Sequence, residues 1–148
     1  MRNRRGGVYV LALAAAALVS VIGLGAMSAA RVDGASARLE VDAHKAAALA
    51  RSGMEVALAE LADTADWRAA NTGQWTQRVI DGQSKWAWRL DDLDDGRLGE
   101  GSDRNVRLTC RAVVGQAMRM VSVQVDSASD GAPAIRPGSY RDRVDLPL

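Results

Sequence analysis

Residues 8–30 (VYVLALAAAALVSVIGLGAMSAA) carry no charged side chain, and this run limits what the rest of the chain can be. A helix rises about 1.5 Å per residue, so the run is long enough to cross a hydrocarbon core of roughly 30 Å. Lipid offers no hydrogen-bond partners, so a single crossing segment has to be helical. Arg2, Arg4 and Arg5 stand directly before the run, with no acid among them. Basic flanks stay on the cytoplasmic side. The expectation is a single-pass protein of the cytoplasmic (inner) membrane, with the bilayer as a partner, its N-terminus cytoplasmic and its C-terminal part outside. Ala14 to Ala17, Ser20, Gly23, Gly25 and Ser28 are small. Such residues let helices approach closely, or serve simply as apolar filler.

Three readings of the segment stand open. It can be an uncleaved signal anchor. It can be a secretory signal peptide cut after Ala30, although the run exceeds the usual apolar region of about 7–15 residues. It can be a prepilin-type leader, in which residues 1–7 are removed by a cut after Gly6 or Gly7 and the helix is kept.

Residues 31–66 contain no proline and are rich in Ala, Leu, Glu and Arg, which form helices well. Leu39, Ala43, Ala46, Ala50, Met54, Ala57, Leu61 and Ala65 recur at gaps of three or four, the stripe of an amphipathic helix. Arg38 with Asp42, and Arg51 with Glu55, have the spacing of i,i+4 pairs. Gly34 and Gly53 are expected to weaken the helix, and Gly34 to mark a kink. His44 has no neighbouring ligand set and reads as solvated.

The region 67–126 reads as a small antiparallel β domain. Residues 67–83 form a connection, with a turn at Asn71-Thr72-Gly73 and a short strand or helical turn at 75–80. In 84–90, Trp86, Trp88 and Leu90 share one face and Lys85, Ala87 and Arg89 the other. The tryptophans read as core packed on the helix, with an exposed binding surface as the alternative. In 105–114, Val106, Leu108, Cys110, Ala112 and Val114 point one way, while Arg107, Thr109 and Arg111 face water. Gly115-Gln116 fits a two-residue hairpin turn leading into a partner strand over 117–125. The pattern of that strand changes near Met120, which suggests a bulge or an edge position. Residues 127–148 read as a flexible tail whose end from Ser139 is either loose or an edge strand.

Between the two clear strands lies the acidic, glycine-rich stretch DDLDDGRLGEGSD. Asp91, Asp92, Asp94 and Asp95, with Glu100 and Asp103, can gather oxygens around Ca²⁺, but Leu93 occupies a position where an EF-hand loop would need a ligand. A solvated hairpin loop is the competing reading, and no other cofactor is indicated. The lone cysteine, Cys110, excludes an internal disulfide and reads as a buried small hydrophobe, with an intermolecular bridge or reactive thiol as the alternative.

Composition narrows the function classes. A net charge of +1, with arginines interleaved among acids, argues against a nucleic-acid partner. No nucleophile–base pair, phosphate-binding loop or metal set stands out, so an enzyme is not expected. With no Phe and abundant Ala, the soluble core is thin, and a domain this small is marginal alone.

The expected fold is therefore α+β: a long N-terminal helix, half transmembrane (8–30) and half amphipathic (31–66), packed on a small antiparallel sheet. With the basic leader and the segment RRGGVYVLALAAAALVSVIGLGAMSAAR, followed by HKAAALARSGMEVALAEL and the hairpin VRLTCRAVVGQAMRMVSVQV, this order resembles the type IV pilin-like superfamily. The likeness is greatest to PilX-like minor pilins and to K-type minor pseudopilins of type II secretion. The resemblance implies a structural subunit of a pilus or secretion assembly, with other pilin-like subunits contacted through the helix and a prepilin peptidase as processing partner. It implies leader roles for Arg2, Arg4 and Arg5, and a cleavage role for Gly6 or Gly7, with Val8 opening the mature chain. In major pilins an acid stands five places after the cut; here that place is Leu11 or Ala12. Some minor members lack the acid as well. A stand-alone, signal-anchored protein with an outward binding domain is the alternative.

Overall fold

The computed structural model describes residues 4–64, 66–68, 73–94, 105–128 and 131–143. The elements are one helix, α1 (Arg4–Ala62), and six strands: β1 (Thr76–Val79), β2 (Ser84–Asp92), β3 (Val106–Val114), β4 (Ala117–Ser127), β5 (Pro133–Ile135) and β6 (Arg141–Arg143). The arrangement is α+β, a long N-terminal helix with an antiparallel sheet against it. The chain divides into two compact units, Met1–Arg38 and Leu39–Leu148.

In the first unit the chain is helix from Arg4 onward. The helix is continuous through Gly34. Large apolar side chains from Tyr9 to Val32 are exposed all round. The segment is long and apolar enough to cross a membrane. Its serines are satisfied by its own backbone: Ser20 Oγ donates to the Ala16 carbonyl at 2.8 Å and Ser28 Oγ to the Gly25 carbonyl at 2.8 Å. A hydroxyl satisfied this way needs no partner from lipid.

In the second unit the sheet order is β1-β2-β3-β4-β5, with β6 also on β4. Alternation along β2, β3 and β4 puts Trp86, Trp88, Leu90, Leu108, Cys110 and Val121 on one face, where they are buried with the helix stripe. Of the expected stripe, Ala46, Ala50, Met54, Ala57 and Leu61 are buried; Leu39 is half exposed, and Ala65 lies outside the described residues. The two strand tryptophans are core.

Gly53 does something other than weaken the helix. A Cβ placed on it would stand 2.7 Å from the Trp86 ring and 2.9 Å from Cys110 Sγ. The missing side chain is the space that lets the helix lie on the bulkiest part of the sheet. Gly115 opens the β3–β4 turn at φ +56°, a left-handed conformation that glycine enters without strain, with Asp42 packed over it.

Other expectations are corrected. The β3–β4 register runs unbroken from Val106↔Val125 to Val114↔Ala117, so there is no bulge at Met120. Nor is β4 an edge, because β5 and β6 pair along its other side. The pattern changes because Met118 and Met120 lie on the face away from the helix. The stretch 127–148, read as a flexible tail, supplies those two strands. Arg51 does not lean along the helix to Glu55; its Nη2 meets Asp142 on β6 at 3.3 Å, and its Nε donates to Tyr140 Oη at 3.1 Å. Trp67, placed in a weak connection, is buried in the core and donates its indole N–H to the Gly131 carbonyl at 3.1 Å. The segment at 75–80 is a strand, β1, tied to the helix by Arg78 and Glu60 at 3.0 Å.

Candidate functional site

The leader residues were the first candidates. Arg2 lies outside the described residues. Arg4, Arg5, Gly6, Gly7 and Val8 all fall within α1, so the helix begins ahead of the expected cleavage point rather than after residue 7. Gly7 is exposed, with open space around it.

The acidic stretch was the second. β2 extends through Asp92, and strand alternation therefore sends Asp91 and Asp92 to opposite faces. Asp91 sits 2.7 Å from Arg89 Nε, a charge contact rather than an aligned hydrogen bond. Asp92, nearly buried, accepts the backbone N–H of Asp94 at 2.9 Å, and Asp94 accepts the Asn105 side-chain amide at 2.7 Å. Asp95 lies outside the described residues. The three described carboxylates thus engage three different protein donors. Among the described residues no group of three or more His, Cys, Asp or Glu side chains is placed to hold a metal.

The remaining reactive candidates are isolated. His44 is exposed and 4.0 Å from Glu40, one turn earlier. Cys110 is buried beneath Gly53, and desolvation pushes its thiol up to about 12, so the thiolate that nucleophilic chemistry needs is not populated at neutral pH.

The outer face of the sheet, expected to be wet, is partly covered. Trp75 lies against it with the guanidinium of Arg111 4.2 Å and that of Arg89 4.9 Å from its ring centre. Thr109 beside them is nearly buried. Composition alone did not reveal this cluster, because Trp75 belongs to the connection before β1 and meets residues far along the chain.

At the β4–β5 edge, Arg136 grips Asp126 with two hydrogen bonds, Nε at 2.9 Å and Nη2 at 2.7 Å. Those bonds hold the Asp126 carboxyl below its ordinary value. The folded state therefore gains from ionised Asp126 above the unfolded carboxyl's pKa of about 3.9, and loses that gain as pH falls through the depressed folded value. Asp126→Asn should flatten the acid limb of the stability–pH curve below about pH 4 and leave its shape near neutrality unchanged. The pair is partly exposed, so the effect is small. Urea midpoints measured across the acid range check it.

Against this geometry stand the comparisons with known proteins. No family model, curated protein or solved structure matches the chain.

Proposed function

We propose that this chain is a non-catalytic structural subunit, a minor pilin or pseudopilin-like component of a type IV pilus or type II secretion assembly. One observation carries the reading: a single helix, Arg4–Ala62, whose first part exposes an uninterrupted apolar surface and whose last part forms the core of an antiparallel sheet domain. An apolar surface of that extent has to be covered by lipid or by other helices. A subunit held in a bilayer and later packed into a helical bundle meets both conditions in turn. The N-terminus is then cytoplasmic, the sheet domain is outside, and the basic leader ending at Gly6 or Gly7 is the substrate of a prepilin peptidase.

The neutral residues Leu11 and Ala12, where a major pilin carries an acid, favour a second reading: a stand-alone anchored protein with an outward binding domain. Two double variants separate the readings. Arg4→Ala with Arg5→Ala, and Gly6→Ala with Gly7→Ala, are expected to block maturation, leaving full-length protein in membranes. If both mature as the unaltered chain does, or if the unaltered chain never changes size, the pilin-like reading is lost.

A further inference from the structure

The near-zero net charge of the chain conceals a basic surface. On β6 the order Arg-Asp-Arg alternates in sign, and a period of two sorts those charges onto opposite faces. On β6, Asp142 pairs across from Val121 on the helix side, where Arg51 takes it, while Arg141 and Arg143 pair across from Ser122 and Met120 on the outer side. By the same register Lys85, Arg89, Arg107 and Arg111 belong to that outer face. The carboxylates there are already committed, Asp91 to Arg89 and Asp126 to Arg136.

This sorting produces a pocket of about 230 Å³ lined by Arg107, Ser122, Gln124, Arg136, Arg141 and Arg143. Arg136 is a fixed wall: Asp126 neutralises it and the Gln124 side-chain carbonyl accepts from its Nη1 at 3.1 Å. Ser139 fastens the loop behind it, donating to the Arg136 carbonyl at 2.7 Å. Among the described residues, Arg107, Arg141 and Arg143 have no carboxylate partner. Three guanidiniums facing one hollow repel one another, and each is a fork of donors shaped for tetrahedral or planar oxyanions. The Ser122 hydroxyl adds a neutral donor between them.

We propose that this pocket binds an oxyanion of the phosphate class, presented as the free ion or as a lipid headgroup. Such an anion would accept charge-assisted hydrogen bonds from Arg107, Arg141 and Arg143 and relieve their mutual repulsion. The site is separate from the helix and the leader, and it stands whether or not the chain is a pilus subunit.

The test uses the full chain in maltoside micelles, which contain no phosphate. One arm titrates inorganic phosphate by calorimetry. The other adds phosphatidylglycerol to the micelles and reads phosphorus NMR line broadening, with protein-free micelles of the same composition as its control. Saturable one-to-one binding in at least one arm is expected, weakened by sodium chloride. Binding in the first arm identifies a free-ion site and binding in the second alone a headgroup site. Arg141→Gln and Arg143→Gln should each weaken it about tenfold, as should Arg107→Gln. Arg119→Gln, on the other face of β4, should leave it unchanged. All four are surface changes, and an unaltered tryptophan unfolding transition confirms their folding. No saturable binding in either arm, or binding that survives all three pocket variants, overturns the proposal.

Discussion

Gly53→Ala is expected to destabilise the second unit, although the same change in an open helix would strengthen it. Alanine is favoured over glycine in a helix interior by about 1 kcal/mol. At position 53 the added methyl would sit 2.7 Å from the Trp86 ring and 2.9 Å from Cys110 Sγ, both buried. A ring atom within a packed core cannot swing aside as a chain end can. Overpacking of this kind costs about 1–3 kcal/mol, which exceeds the gain in propensity. Gly53→Leu should cost more, at the upper end of that range or beyond. All four tryptophans lie in the second unit, so urea unfolding of the full chain in detergent, read by tryptophan fluorescence, reports on it. Gly34→Ala is the control: nothing stands within 4 Å of a Cβ there, and this transition should not move. A Gly53→Ala variant as stable as the unaltered chain would mean that the helix does not lie on Trp86 as described.

Leu61→Ala should have the largest effect of any single truncation in the helix. The chain has no Phe, and the buried stripe of α1 is mostly alanine. Leu61, 1 % exposed, is the bulkiest side chain the helix gives to the core. Removing a buried leucine to its Cβ costs about 2–5 kcal/mol, from lost transfer free energy and the cavity left behind. Small domains are stable by about 5–15 kcal/mol in total, so the variant should lose a large part of its stability and unfold at a markedly lower urea concentration. Leu58→Ala, half-buried beside the same core, should cost less. The same fluorescence transition measures both, and a cost below about 1 kcal/mol for Leu61→Ala would contradict the packing.

What was legible in the sequence is what depends on period. The buried residues Ala46, Ala50, Met54, Ala57 and Leu61 follow from helical spacing alone, and the core faces of β2 and β3 from alternation. Residues whose role depends on a distant partner were not legible. Gly53 looks like a weak point until Trp86 and Cys110 stand opposite it. β6 has the sequence Arg-Asp-Arg, with no apolar residue to mark a strand; it is held by its ladder to β4 and by Arg51 on Asp142. Trp67 gave no periodic signal, since a single turn buries it. Asp91 and Asp92, adjacent in the acidic stretch, diverge because they lie on a strand, which the run of acids does not reveal. The basic pocket was hidden for the related reason that a sum of charges says nothing about which face each charge occupies.

The measurement that bears most directly on the central claim is the N-terminal sequence and intact mass of the protein taken from native membranes. The account predicts a chain beginning at Gly7 or Val8, with its apolar helix retained. A chain beginning at Met1 would contradict processing as a pilin-like subunit and leave a simple anchored protein. One beginning at Arg31 would contradict the membrane anchor itself.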